Sequence, residues 1–128
     1  MRVRAIDHVV LTVRDLENTL SFYERTLGMT RVTFGEGRRA LAFGDQKINL
    51  HLAGREFEPK ARSPQPGSAD LCFVTDVPIE EVVAHLGRIG VAIELGPLPK
   101  TGARTALRSI YFRDPDGNLI EVANEVGP

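Results

Sequence analysis

The stretch Ser109–Asn124 reads SIYFRDPDGNLIEVAN and combines a turn with a carboxylate inside a strand. β-Branched and aromatic residues precede the segment Asp114–Gly117, which is typical of a tight chain reversal. An apolar strand follows, and in it Glu121 lies between Ile120 and Val122. A carboxylate among apolar neighbours is costly unless it is solvated or meets a cation. The pattern therefore indicates either a surface residue on an edge strand or a metal ligand.

Bulk composition narrows the class of protein. The 128 residues are 42% hydrophobic and 26% charged, which is typical of one globular domain. The formal net charge of −1 gives no electrostatic case for a nucleic acid or an anionic membrane as partner. The single cysteine, Cys72, excludes an internal disulfide, and no apolar run approaches the roughly 20 residues of a membrane span. The N-terminus lacks the pattern of a signal peptide, so a cytoplasmic location is expected.

Hydrophobic periodicity predicts the element order β-α-β-β-β twice. The first module covers about residues 3–53 and the second about 68–126, and a proline-containing linker over about 54–67 joins them. We expect one domain over residues 1–128. The predicted fold class is α+β, with two βαβββ modules that form a cupped mixed β-sheet with flanking helices.

Capping residues bound the two predicted helices. Asp15 is a plausible N-cap of the first helix, and Gly28 follows its last residue. In the second module Pro78 stands in the first turn and Gly90 at the end.

The segment 97–107 is predicted to be a loop. It is rich in Gly, Pro and basic residues, and Lys100, Arg104 and Arg108 lie in or beside it. Loops of this length are often lids over a site. The three cations either contact an anionic substrate or are simply solvated.

The repeat brings four metal-competent residues into register. A shift of 62 positions places Gly28 on Gly90 and His8 on Asp70, and a shift of 70 places His51 on Glu121. Each of the four lies on the predicted strand face opposite the most hydrophobic set. Two modules related by a pseudo-twofold axis would bring them to the centre of the cup. The repeat therefore predicts a metal site there.

Four segments resemble the vicinal oxygen chelate superfamily, which includes glyoxalase I, fosfomycin-resistance proteins, bleomycin-resistance proteins and extradiol dioxygenases. They are IDHVVLTVRDLENTLSFYERTLGM, FGDQKINLH, PGSADLCFVTD and IYFRDPDGNLIEV. The second and third are most similar to the glyoxalase-domain-containing protein 5 group. The resemblance implies a paired βαβββ fold and one divalent metal in the cup.

The resemblance also implies the ligands. The first-strand ligand of the family falls on His8 and the C-terminal glutamate on Glu121. The fifth-strand ligand is usually histidine, but here Asp70 holds its place, which shifts the preference toward harder ions. On the fourth strand His51 is the best match, with Asn49 as the fallback. The metal could be Ni, Zn, Mn or Fe.

The resemblance also suggests two substrate contacts, since Ser109 and Tyr111 match the serine and tyrosine that fosfomycin-type members place before the turn. Asn49, beside the fourth-strand position, and the loop cations Lys100 and Arg104 complete the predicted substrate-binding set. Cys72 lies on the same predicted strand face as Asp70, and we interpret it as part of the packed wall of the cup rather than as a ligand. The expected partners are a small molecule, possibly anionic or a thiol conjugate, and a second copy of the chain in a homodimer.

The predicted function is a metal-dependent enzyme acting on a vicinally oxygenated substrate. The metal would act as a Lewis acid, and Glu121 would carry the proton. Glyoxalase-type proton transfer, dioxygenase chemistry and fosfomycin-type thiol transfer to an epoxide all stay open. A bleomycin-resistance-like protein that sequesters a small molecule without catalysis is the alternative from another class.

Overall fold

The computed structural model of the chain describes residues 1–127, which fall into two compact units. Met1–Gly67 forms the first unit, and the second begins at Ser68. The first unit contains β1 (His8–Val13), α1 (Leu16–Leu27), β2 (Thr30–Phe34), β3 (Arg38–Phe43) and β4 (Gln46–Leu52). The second contains β5 (Asp70–Val74), α2 (Ile79–Arg88), β6 (Leu95–Thr101), β7 (Ala106–Arg113) and β8 (Leu119–Glu125). The α+β class and the two βαβββ modules are therefore confirmed.

Each unit contains one mixed four-stranded sheet. The strand orders are β1-β4-β3-β2 and β5-β8-β7-β6. The first and last strands of each unit, β1 with β4 and β5 with β8, pair in parallel. The remaining neighbours are antiparallel. Because the last strand returns to the interior of the sheet, β4 and β8 each have a paired strand on both sides.

Helix α1 begins and ends where its capping residues predict. The Asp15 side chain accepts a hydrogen bond from the Asn18 backbone N–H at 2.9 Å. Gly28 follows the helix with φ of 65°, a left-handed conformation that favours glycine. Leu20 and Tyr23 are fully buried on the helix face that packs on the sheet.

Helix α2 packs on β7 in the second unit. Pro78 precedes its first residue, and Ile79 and Leu86 are fully buried. They belong to the apolar core of this unit, together with Ile110 and Phe112 of β7. The missing N–H of Pro78 costs nothing at this position, because the first N–H groups of a helix have no intrahelical partner.

One face of each sheet carries the helix and the apolar core, and we call the opposite face the site face. On the core face of the first unit, strand alternation places Leu11, Leu41 and Ile48. The site faces carry the candidate residues, as predicted: His8, Asn49 and His51 in the first unit, and Asp70, Ser109, Tyr111 and Glu121 in the second.

The turn before β8 is tied together by one buried carboxylate. Asp114 accepts hydrogen bonds from the backbone N–H groups of Asp116 and Asn118, both at 2.9 Å, and from Asn118 Nδ2 at 2.8 Å. Asn118 Oδ1 in turn accepts from the backbone N–H of Ala69 at 2.8 Å, just before β5. The turn thereby sets the register of β8 against the strands on both of its sides.

The predicted loop over 97–107 is wrong for most of its length. Residues 95–101 form the edge strand β6, which pairs with β7 through an irregular step between Leu95 and Leu98. Pro97 and Pro99 favoured a loop because proline cannot donate to a strand ladder. An edge strand tolerates proline, because one side of its backbone has no partner strand. The turn that remains is short, so the expected lid is replaced by a hairpin.

The Arg31 guanidinium joins β2 to α1 through two carboxylates. It donates to Glu17 at 3.0 Å and to Glu24 at 2.8 and 2.9 Å. These hydrogen bonds hold the pKa of both glutamates below their ordinary value. A lowered carboxyl pKa stabilises the fold above the unfolded-state pKa, and that contribution is lost as pH falls through the folded-state value.

We therefore expect Arg31→Met to lower the melting temperature at pH 7 and low salt, and to have a smaller effect as pH falls below the ordinary glutamate pKa of about 4.3. Thermal melts of both proteins at pH 7, 5 and 3 measure the difference. Arg2→Met, in the exposed N-terminal segment, is the charge-matched control. A difference that persists unchanged at pH 3 would show that Arg31 acts through packing of its stem instead.

Within residues 1–127, neither the length nor the apolar character of any helix suffices for it to cross a lipid bilayer.

Candidate functional site

Three polar side chains form a row across the site face of the second unit. Glu121 on β8 pairs with Cys72 on β5 and with Tyr111 on β7. Directly paired residues on one face have neighbouring side chains. The Cys72 thiol and the Tyr111 hydroxyl therefore flank the Glu121 carboxylate, and each can donate a hydrogen bond to it. This row places the carboxylate between two donors.

Burial and the Glu121 carboxylate raise the pKa of both neighbouring side chains. Burial, followed by the hydrogen bond and charge of Glu121, raises the pKa of Tyr111 to about 12. Partial desolvation and the Glu121 charge raise the pKa of the Cys72 thiol to about 11. The Asp70 carboxylate, at the exposed start of β5, raises both values further. At neutral pH both groups therefore keep their protons and remain donors to Glu121.

A groove of about 510 Å³ opens beside Cys72 and Glu121 within the second unit. Glu121 and Cys72 line it, together with two of the predicted substrate-binding residues, Lys100 and Arg104. The Lys100 Nζ atom lies 5.7 Å from the centre of the Tyr111 ring. Val74, Thr101, Gly102, Ala103, Leu107 and Glu125 complete the lining. The groove thus combines a carboxylate, a thiol and two cations with apolar walls.

Of the two cations in the groove, Arg104 donates to Glu125 at 2.9 and 3.0 Å, so its charge is already paired. The other predicted contacts of the second unit, Ser109 and Tyr111, lie outside the groove lining. Ser109 is fully buried, and its Oγ has no hydrogen-bond partner among the described residues. Tyr111 contacts Glu121 from the neighbouring strand but does not line the groove. Lys100 is therefore the cation of the groove that forms no ion pair with an acid among residues 1–127.

His8 lies at the exposed start of β1. Its Nδ1 atom is 2.8 Å from Asp7 Oδ2, and this hydrogen bond lowers the pKa of the Asp7 carboxyl. A carboxylate can only accept, so Nδ1 carries the proton and Nε2 keeps its lone pair in the neutral ring. Metal-ligating histidines commonly have such a carboxylate partner on the other nitrogen. The chemistry of this pair is therefore compatible with ligation through Nε2.

His51 has a different environment, although it is predicted as a ligand too. It is 3% exposed, and its Nε2 atom lies 3.2 Å from Nη2 of Arg38. A guanidinium only donates, so Nε2 accepts this bond. Burial, followed by the Arg38 charge, lowers the pKa of His51. The lone pair that a metal would need is thus occupied by a cation, which would also repel a second cation.

The described residues do not present a preformed metal centre. Within 1–127, no group of three or more His, Cys, Asp or Glu side chains is arranged to hold a metal ion. The Arg38–His51 contact argues against His51 as a ligand, whereas the His8–Asp7 pair is compatible with ligation by His8. The set His8, His51, Asp70 and Glu121 stays a prediction.

Strand pairing changes one equivalence of the repeat. Thr12 pairs with His51, and Cys72 pairs with Glu121. Since His51 corresponds to Glu121, Thr12 corresponds to Cys72, which is a shift of 60 positions (from 12 to 72) rather than 62. His8 and Asp70 each begin a strand and lie on the site face of their own sheet, but they are not at equivalent points of the two ladders.

Sequence reasoning missed Arg38. Arg38 lies beside His51 in the first unit, as Tyr111 lies beside Glu121 in the second. A period-two reading of β3 from its hairpin partner would have placed Arg38 on the site face. Cys72, interpreted as wall, lies in the groove lining and pairs with Glu121 across the ladder.

Residues 5–122 match the family model described as Glyoxalase/Bleomycin resistance protein/Dioxygenase superfamily. The chain is 55% identical over 126 residues to Virulence protein STM3117 of Salmonella typhimurium, covering 98% of this chain and 88% of that protein. The crystal structure of that protein superposes with a TM-score of 0.97, covering 98% of this chain and all of the other.

Two further likenesses are informative. Glyoxalase domain-containing protein RDO1 of Mycosarcoma maydis is 53% identical over 124 residues, which cover 97% of this chain and 70% of that protein. The structure of TnmS3, an antibiotic binding protein from Streptomyces sp. CB03234, is 26% identical with a TM-score of 0.75 and covers 98% and 99% of the two chains. By the family match and the identity to these relatives, the chain belongs to the glyoxalase/bleomycin resistance protein/dioxygenase superfamily.

Proposed function

We propose that the protein is an enzyme that binds a small oxygenated molecule in the groove of the second unit and uses Glu121 as its proton carrier. The observation that carries this proposal is the position of one carboxylate, held by two protonated donors, in the wall of a groove that also presents Lys100. A general base must be oriented toward its substrate and remain accessible to it. Glu121 meets both conditions, since it is only partly buried.

Each residue of the groove has a separate task in this reaction. Leu107 and Val74 supply apolar surface for the carbon skeleton of the substrate. Lys100 attracts an anionic group or a developing negative charge on a substrate oxygen. Glu121 takes a proton from a carbon next to an oxygenated carbon and returns it to the neighbouring carbon, as in a glyoxalase-type isomerisation. The carboxylate ends the cycle in its starting state.

Tyr111 and Cys72 are positioning residues for that carboxylate. Their raised pKa values keep the hydroxyl and the thiol protonated, so neither is a nucleophile at neutral pH. Thiol chemistry, if the reaction resembles the fosfomycin-type branch, would then use a thiol supplied with the substrate rather than Cys72. The substrate would be an epoxide, opened by that external thiol.

The family resemblance also predicts a divalent metal. When bound, such an ion would polarise the oxygens of the substrate. His8, Asp70 and Glu121 are the proposed ligands, and the Arg38 contact argues against His51 as the fourth. Elemental analysis after equilibration with Ni, Zn, Mn or Fe(II) ions tests this set. We expect near-stoichiometric metal in the wild type and loss of metal in His8→Ala, with His85→Ala as the control.

A second candidate function is binding without catalysis. The likeness to the antibiotic-binding protein TnmS3 favours it, because the same fold there is associated with a bound small molecule. Such a protein would retain its ligand unchanged. Homodimer formation, which the resemblance predicts, is compatible with both functions and can be measured by light scattering.

Turnover separates the two candidates. The purified protein is incubated, with and without added divalent metal, with a hemithioacetal of an α-ketoaldehyde, a catechol with oxygen, and an epoxide with a thiol. We expect conversion of at least one class that depends on Glu121. Saturable binding of these compounds with no conversion under any metal condition would favour the binding protein and contradict the enzyme.

A further inference from the structure

Arg38 differs from the other paired arginines of the molecule. Arg31, Arg104, Arg108 and Arg113 each form an ion pair with at least one glutamate. Arg38 is only partly exposed, and its sole hydrogen-bonded partner among the described residues is Nε2 of His51. No carboxylate in residues 1–127 pairs with it. A partly buried cation without a counter-ion is costly.

Two aromatic rings hold the guanidinium in place. Its central carbon lies 4.7 Å from the ring centre of Phe57 and 5.2 Å from that of Phe34. Phe57 also packs edge-on against His51, with ring centres 5.6 Å apart. Stacked arginine is pre-organised, because its planar fork loses little further freedom when it binds an anion. The rings therefore keep the charge in position but do not neutralise it.

Unsatisfied polar atoms accompany this charge. The Nε atom of Arg38 is buried and has no acceptor in the described chain. Asn49 is 5% exposed, and its Oδ1 atom has no donor there. Asn49 precedes His51 by two residues on β4, so both side chains lie on the site face. Buried polar atoms without partners are uncommon in native proteins and call for an explanation.

We propose that Arg38, with His51 and Asn49, forms a binding site for the oxyanion of a small organic molecule, with a carboxylate as the favoured group. A carboxylate matches the guanidinium fork and would accept from Nε–H. A hydroxyl elsewhere on the same molecule would donate to Asn49 Oδ1. Phe34 and Phe57 would pack against its apolar part. The site lies within the first unit and does not depend on the role of Glu121.

The surrounding charges favour an anion. Lys47 Nζ lies 3.8 Å from the Phe34 ring centre, and Lys60 lies 3.9 Å from the Glu56 carboxylate. Glu56 acts electrostatically on His51, and it already accepts from the Gly54 N–H and faces Lys60. Lys60 also lies 3.5 Å from the Glu58 carboxylate, and Lys47 acts on Asp7, so both lysines have acids nearby, whereas Arg38 has none among the described residues. An oxyanion would bring Arg38 closer to neutrality.

Nitrogen-15 NMR of the whole chain tests the site. Benzoate and inorganic phosphate are titrated separately, with chloride replacing them at constant ionic strength. We expect a saturable shift of the Arg38 Nε–H resonance, assigned from its loss in Arg38→Lys. A response to benzoate alone identifies a carboxylate site, and a response to phosphate identifies the wider oxyanion class. The absence of a saturable shift with either ion overturns the proposal.

Variants show whether the response belongs to Arg38. Binding, followed through backbone resonances of β3 and β4, should weaken about tenfold or more in Arg38→Met, because hydrogen bonds to a charged group are lost. Arg39→Met removes the same charge from the opposite face of β3 and should bind like the wild type. Arg38→Lys keeps the charge without the fork and should be intermediate, which covers the case in which Arg38→Met does not fold. Equal binding by wild type and the folded Arg38 variants would place the ion elsewhere and refute the assignment.

Discussion

Replacing Glu121 with glutamine is expected to lower kcat by about 10²- to 10⁴-fold, the usual contribution of general acid–base catalysis. This corresponds to about 3–5 kcal/mol of transition-state stabilisation. The amide keeps the size of the side chain and still accepts one hydrogen bond from Tyr111 or Cys72, so the fold should persist. Steady-state kinetics on the substrate found by the turnover screen, together with the melting temperature, measure both effects.

Two variants sharpen this test. Glu94→Gln removes a carboxylate of the same unit that pairs with Arg113 on the surface, and it should leave kcat within a few-fold of the wild type. Glu121→Asp keeps the charge but withdraws it from the groove, so its activity should lie between the wild type and the glutamine variant. Full activity in Glu121→Gln would falsify the role of Glu121 as proton carrier.

Asp114→Ala is expected to lower the free energy of unfolding by about 3 kcal/mol, because it leaves three donors without their acceptor in a buried turn. Hydrogen bonds to a charged acceptor are stronger than those to a neutral one. When the Asp114 carboxylate is removed, the buried N–H donors stay desolvated without an acceptor, which costs further free energy. The loss should appear as a lower denaturation midpoint in urea at pH 7. Since Asn118 also binds the Ala69 N–H, local protection of β5 amides against hydrogen exchange should fall as well.

The first unit supplies a matched control for that turn. Asp45 lies in the hairpin that joins β3 to β4, but it is exposed, and its replacement by alanine should change stability by less than about 0.5 kcal/mol. Asp114→Asn keeps one acceptor oxygen for the backbone N–H groups but presents an amide to Asn118 Nδ2, so an intermediate loss is expected. Equal, small effects of Asp114→Ala and Asp45→Ala would show that the turn does not stabilise the second unit.

Local patterns in the sequence were sufficient to predict most of the secondary structure. The capping side chain of Asp15 and the left-handed Gly28 act within one turn of the helix they bound, so their positions predicted α1 correctly. Strand alternation predicted the faces on which His51 and Glu121 lie. The edge strand β6 escaped prediction because proline is judged locally as a strand breaker, whereas its tolerance depends on having no neighbour on one side.

Residue order alone predicts the two βαβββ modules, the faces of their strands and the unusual position of Glu121 among apolar neighbours. These properties depend on periodicity and capping, which are local. The folded chain adds which side chains meet: Cys72 and Tyr111 at Glu121, and Arg38 at His51. Those contacts depend on strand register, and a displacement of two residues along a ladder keeps every face unchanged while it replaces every partner.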